Sequence, residues 1–126
     1  MPLKPPAPVP YATSLNLVVE PEGDELRCRM RYSEIAAGYG ALHGGALGAL
    51  LEFASTVELR QRYDGCSTFR LISLTVAFLR AGRLEDAFAC AYIIRQGRRV
   101  ANVRAEAWQR ERTRLIAVAH SAFALE

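Results

Sequence analysis

Only one stretch of this chain reads as a long helix, and it is too apolar to lie on a surface. Between His43 and Glu58 the single ionisable side chain is Glu52, set among glycine, alanine, leucine, phenylalanine, serine, threonine and valine. Leu47, Leu50, Leu51, Ala54 and Val57 follow the i, i+3, i+4 rule, which predicts a helix over residues 46–62 with a core-facing stripe. At about 100° per residue, Gly45, Gly48, Glu52 and Thr56 share another stripe, small except for its two polar members. Such a stripe leaves room beside the carboxylate for a ligand or a second chain. Burying an unpaired charge costs several kcal/mol, so a carboxylate kept here is a candidate for chemistry. The bland alternative is a helix whose polar edge happens to carry Glu52.

The rest of the chain is punctuated for strands. Leu26, Cys28 and Met30 alternate with Arg27, Arg29 and Arg31, and with residues 15–20 they predict a hairpin around Pro21, Glu22, Gly23 and Asp24. After a turn expected at Asp64 and Gly65, four β-rich runs follow over residues 68–80, 87–96, 98–109 and 114–125. Their tight connections suggest an antiparallel meander. In one of them Ala101, Val103, Ala105 and Ala107 alternate with Asn102, Arg104, Glu106 and Trp108, one face apolar and the other polar. Two strands cannot bury a lone apolar helix, whereas a curved antiparallel sheet can wrap it on several sides. The expected class is therefore α+β, a sheet rolled around one helix, with a single domain over residues 15–126. Residues 1–14 are expected to be an extended arm, since five of the six prolines fall within the first ten positions.

Composition narrows the setting. No apolar run approaches the ~18 residues of a membrane span, and the proline-rich start does not suit a signal peptide, so a soluble cytoplasmic protein is expected. Cys28, Cys66 and Cys90 are widely spaced, which fits neither a disulfide framework nor a zinc site, and no metal is expected. Fifteen of the sixteen basic residues are arginine, against a net charge of only +3. Arginine suits bidentate phosphate binding, although genome composition explains such a bias equally well. No basic stripe interleaved with aromatics stands out, which disfavours nucleic acid as a partner.

His43, Gly44 and Gly45 open the helix, Glu52 follows the histidine by nine positions, Phe78, Leu79 and Arg80 close the next strand, and Gln96, Gly97, Arg98 and Arg99 form a strand turn. In these residues the chain resembles the hotdog-fold thioesterases of the phenylacetate-degradation (PaaI-like) type. The resemblance covers most of residues 15–125 and implies an antiparallel sheet wrapped around one central helix. It further implies an acyl-CoA thioesterase needing no cofactor, coenzyme A being part of the substrate. The active site would form between two subunits joined edge to edge, in a homodimer or a dimer of dimers. His43 and the Gly44 amide of one would then face Glu52 and Thr56 of the other.

The implied roles have a physical basis. A helix N-terminus offers unpaired N–H groups and partial positive charge, so the Gly44 and Gly45 amides could hold a thioester oxygen as it becomes an oxyanion. Glu52 would attack the thioester or activate a water, and the sequence does not choose between the two. Thr56, one turn later, could hydrogen-bond the Glu52 carboxylate or the water, or bond back to a helix carbonyl. His43 could orient the start of the helix by bonding a backbone carbonyl, donate to the substrate, or simply fill the core. Arg98 and Arg99, with Arg80 and Arg70 behind them, are the candidates for the phosphates of coenzyme A. Tyr39, Gly40, Phe53, Phe69 and Leu71, with Tyr63, could line the acyl pocket or belong to the core.

Two positions depart from the family pattern. Ala37 stands where members commonly carry Asn or Gln, and Tyr39, Ser33 or a residue of the other subunit would have to compensate. Ala81 replaces a frequent proline. The Ala37 departure keeps open a non-catalytic acyl-CoA binding module of the same fold.

Overall fold

A computed structural model describes residues 9–63 and 68–126. A short helix α1 (Pro10–Ser14) leads into strands β1 (Leu17–Glu22) and β2 (Glu25–Met30), a 3₁₀ turn (Glu34–Ala36) and the long helix α2 (Gly44–Arg62). Strands β3 (Phe69–Phe78), β4 (Ala87–Gln96), β5 (Val100–Trp108) and β6 (Leu115–Leu125) complete the chain. The expected single long helix is present and starts two residues earlier than its apolar periodicity predicts. The extended arm expected over residues 1–14 is corrected at its end: Pro10 sits in the first turn of α1, where its missing N–H costs nothing, and Ala12 and Leu15 are buried. Residues 1–8, and the turn expected at Asp64 and Gly65 together with Cys66, lie outside the described residues.

All strand pairings are antiparallel, in the order β1-β2-β4-β5-β6-β3. The meander is realised by β4, β5 and β6. β3 instead crosses to the far edge and pairs only with β6, Phe69 opposite Leu125 and Phe78 opposite Ala117. The sheet curls around α2, the hotdog arrangement. Its inner face is built from small residues: Ala87 and Ala89 on β4, Ala101, Ala105 and Ala107 on β5 and Ala117 on β6 are wholly buried. Methyl groups on the sheet let the helix approach closely, and Leu47, Leu50, Leu51 and Leu59 supply the volume that fills the space. Cys28 and Met30 join this core while Arg27 and Arg29 lie outside, as the alternation predicts.

The outer face is polar, with one aromatic pair kept dry. Trp108 stacks on Phe88 at 6.1 Å, and the guanidinium of Arg112 lies 4.2 Å from the Trp108 ring centre. Cys28 and Cys90 are free and buried, and burial pushes the Cys90 thiol up to about 11, so neither is a ready nucleophile.

The two sheet edges differ in kind. β1 is short and carries Pro21 between Glu20 and Glu22, which blunts it against further pairing. β3 runs from Leu71 to Phe78 with neither charge nor proline, and Ile72 and Phe78 are more than half exposed. That edge is open.

Candidate active site

The start of α2 is fixed by three short bonds. The His43 N–H donates to the Ala36 carbonyl at 2.8 Å, Leu42 N–H to the Gly82 carbonyl at 2.9 Å, and Gly38 N–H to the Ala41 carbonyl at 2.7 Å. Gly40, at φ +73°, supplies the left-handed turn between them. His43 is the N-cap, and its Nδ1 accepts the Gly45 N–H at 2.9 Å, which requires the proton to sit on Nε2. The imidazole orients the helix start by accepting from an amide, where bonding to a carbonyl was expected.

This cap distinguishes the two glycine amides. The Gly45 N–H is committed to His43, so the expectation that both amides face a ligand is narrowed to Gly44. Among the described residues the Gly44 N–H has no acceptor. A Cβ at Gly44 would stand 3.1 Å from the ring of Phe78, so the residue after which β3 ends covers the glycine.

Glu52 is half-buried on the same helix, and no cation pairs with it among the described residues. Burial holds its carboxyl above the usual carboxylate range. Thr56 does not reach that carboxylate: its hydroxyl donates to the Glu52 backbone carbonyl at 3.1 Å, the internal bond open to any helical threonine. Halfway between Gly44 and Glu52, a Cβ at Gly48 would meet no atom within 4 Å. The stripe is open along its middle. Arg60, one turn beyond Thr56, continues the stripe, and its buried Nε lacks a partner among the described residues; nothing in its sequence context singles it out.

The remaining candidates fall at two ends of α2. Near its N-terminus lie Tyr39, fully exposed, Gly40, and Arg80, which donates from Nη1 to the Leu115 carbonyl. Near its C-terminus the Tyr63 hydroxyl donates to the Gly97 carbonyl at 3.1 Å, which places the Arg98 and Arg99 turn there. Phe69 packs edge-on against Tyr63 at 6.2 Å, and Leu71 is likewise half-buried on the core. Arg70 is paired with Glu126 at 3.0 Å, so it is not a free cation. Phe53 is half-buried beside Glu52. Ala37 bridges to Leu42 and brings no amide side chain, and Ser33 Oγ is buried with no hydrogen-bond partner among the described residues.

The acyl-CoA thioesterase N-terminal domain family matches residues 33–124, which span the helix start, Glu52 and the strands from β3 nearly to the end of β6. The chain belongs to this family. Among solved structures it is similar to a phenylacetic acid degradation-related protein of Ralstonia eutropha, with 26% identity, TM-score 0.81, and 94% of this chain and 92% of that one covered. A Chromobacterium violaceum protein is 33% identical at TM-score 0.73, with 94% and 84% covered. A Bacillus halodurans protein crystallised with CoA shares the fold at TM-score 0.83 and 20% identity, with 94% and 80% covered. No curated protein sequence matches the chain. No described helix is long and apolar enough to cross a membrane, and no cluster of metal-ligating side chains occurs among the described residues.

Proposed function

We propose that the chain hydrolyses an acyl-CoA to a carboxylic acid and free CoA at a site completed by a second copy of itself. The observation that carries this reading is the spacing of two unpaired groups on α2. Gly44 and Glu52 are eight residues apart, so one helix separates them by about 12 Å along its axis. A single thioester carbon cannot touch both groups of one chain. Two helices laid antiparallel about a two-fold axis at Gly48 bring each Gly44 opposite the partner's Glu52, and the bare glycine permits the approach. The open edge of β3 supports the same assembly, because pairing with its copy satisfies the exposed backbone of both.

In this arrangement the Gly44 N–H and the N-terminal end of the helix polarise the thioester carbonyl and stabilise the oxyanion. Glu52 of the other copy takes a proton from a water that attacks the carbonyl carbon. The C–S bond then breaks, and the thiolate leaves with a proton from the protonated carboxyl. Direct attack by Glu52, with an anhydride then hydrolysed by water, uses the same geometry. His43 is a positioning residue that keeps Gly45 occupied and the loop closed. The antiparallel pairing also unites the two ends: Tyr39 and Arg80 of one copy approach Phe69, Arg98 and Arg99 of the other. The CoA bound by the Bacillus halodurans protein supports CoA as a ligand this fold accommodates.

The test is thiol release across a panel of acyl-CoAs, wild type against Glu52→Gln. Turnover lost by orders of magnitude in kcat with little change in KM supports the reading. Ala37 favours the alternative, a binding module. Equal inertness of both proteins, with thermal stabilisation by acyl-CoA, would establish that alternative instead.

A further inference from the structure

A polar cleft of about 300 Å³ opens where β5 ends, β6 begins and the segment after β3 turns back toward β4. Arg80, Arg83, Arg110 and Arg114 line it, with Glu111 as the one acid of the lining. The cleft is built and held. Gln109, only 9% exposed, accepts the Arg83 N–H at 2.8 Å and donates to the carbonyls of Arg83 at 2.8 Å and Glu85 at 3.3 Å. One buried carboxamide therefore grips the Arg83 peptide from both sides.

The charges of the lining are not cancelled. Arg110 is committed to Glu85 through two bonds of 3.0 and 3.1 Å, which neutralises both. Arg80 spends one donor on the Leu115 carbonyl and keeps its charge. Arg83 and Arg114 have no carboxylate partner among the described residues. With Glu111 set against one of these, two positive charges remain, on forked donors that match phosphate geometry. Only Ile116 offers the cleft an aliphatic side chain larger than a methyl, so it suits an anion and not an acyl chain.

Its position ties it to the helix start. Phe78 lies on Gly44, the Gly82 carbonyl accepts from Leu42 N–H, and the stretch between them carries Arg80 into the cleft. Leu79 and Arg80 both donate their N–H to the Ile116 carbonyl, so the step from residue 78 to 80 covers at most about 7 Å. We infer that this cleft binds phosphate groups at the nucleotide end of the CoA thioester whose carbonyl is held by Gly44 of the same chain. The inference rests on the acyl-CoA reading and assigns the principal phosphate contacts to Arg83 and Arg114 in place of Arg98 and Arg99.

The experiment compares an Arg83→Ala/Arg114→Ala variant with an Arg98→Ala/Arg99→Ala variant, both checked for wild-type melting. Each is assayed with an acyl-CoA and with the matching phosphate-free acyl-pantetheine, and titrated calorimetrically with adenosine 3′,5′-diphosphate. The first variant is expected to raise KM for acyl-CoA by about tenfold to a hundredfold, with kcat and the acyl-pantetheine KM unchanged, and to lose nucleotide binding. Arg83→Lys with Arg114→Lys should recover part of the affinity. Wild-type KM for acyl-CoA in the first variant, or loss of the acyl-CoA advantage in the second alone, would overturn the assignment. Lost nucleotide binding with unchanged KM would also overturn it, since the anion would then be a separate ligand. If no thioester is turned over by any protein, the acyl-CoA reading fails at its catalytic step. Calorimetry still decides the cleft, because nucleotide binding that survives the first variant overturns the inference and binding lost with it supports a phosphate site.

Discussion

Replacing Gly44 with proline removes one backbone donor and little else. Gly44 is the first residue of α2, where proline is well accommodated, and its N–H bonds no other group among the described residues. The preceding residue must be extended, and His43 already is, at φ −66° and ψ 133°. At the Cβ position the nearest atoms are those of the Phe78 ring, 3.1 Å away, and Phe78 is 55% exposed and free to turn. The variant should therefore melt within about 5 °C of wild type. If the Gly44 amide stabilises the oxyanion, kcat falls by about 10² to 10³. Glu52→Gln should cost at least about 10² by removing the base.

The decisive measurement combines the two in one dimer. Gly44 and Glu52 of a single chain stand about 12 Å apart, so on the proposed reading each site would take its amide from one copy and its carboxylate from the other. A heterodimer of Gly44→Pro with Glu52→Gln has one site doubly damaged and one fully intact. Co-expressed under two affinity tags and purified through both, it should hydrolyse acyl-CoA at about half the wild-type rate per dimer. Each parent homodimer should be slower by a hundredfold or more. A heterodimer no faster than its parents would refute the two-chain site, and full kcat in Gly44→Pro would remove the amide from the mechanism.

Four further outcomes follow. Burial holds the Glu52 carboxyl above its ordinary range, so the acid limb of kcat/KM should have its midpoint above about 4.3 and vanish in the residual activity of Glu52→Gln; a midpoint at or below that value contradicts the assignment. The same shift lowers folded stability once the pH exceeds the unfolded-state pKa, so Glu52→Gln should melt higher than wild type at pH 7. That gap should close below about pH 4, where the carboxyl is neutral in both states. The Cβ of Gly48→Leu meets no atom within 4 Å and the change improves helix propensity by roughly 0.5–1 kcal/mol, yet on the proposed assembly it should dissociate the dimer in sedimentation and abolish turnover; an active dimer would move the seam elsewhere. Leu50→Ala, at a fully buried position, should lose about 2–5 kcal/mol in denaturant unfolding, and a smaller loss would mean that the alanine-faced sheet closes onto the helix.

What could be read from the sequence was what short-range periodicity encodes. Leu47, Leu50 and Leu51 announce one helix, and the alternating alanines of β5 announce its bed, because both patterns reflect neighbours one turn or one pleat away. The crossing of β3 to the far edge was not legible, since its pairing with β6 joins residues as distant as Phe69 and Leu125. Nor was the fate of the two glycine amides, which depends on the His43 imidazole folding back onto Gly45. Arginine was the least legible of all: in a chain with fifteen, nothing local separates Arg70, cancelled by a glutamate 56 residues away, from Arg83 and Arg114, which converge only because two strand ends meet. The eight-residue interval from Gly44 to Glu52, by contrast, was present throughout and acquires meaning only with a helix to measure it on. On the proposed two-chain site it would leave the lone chain an incomplete catalyst, so that selection on such an activity would act at the same time on the β3 edge and on the bare surface at Gly48.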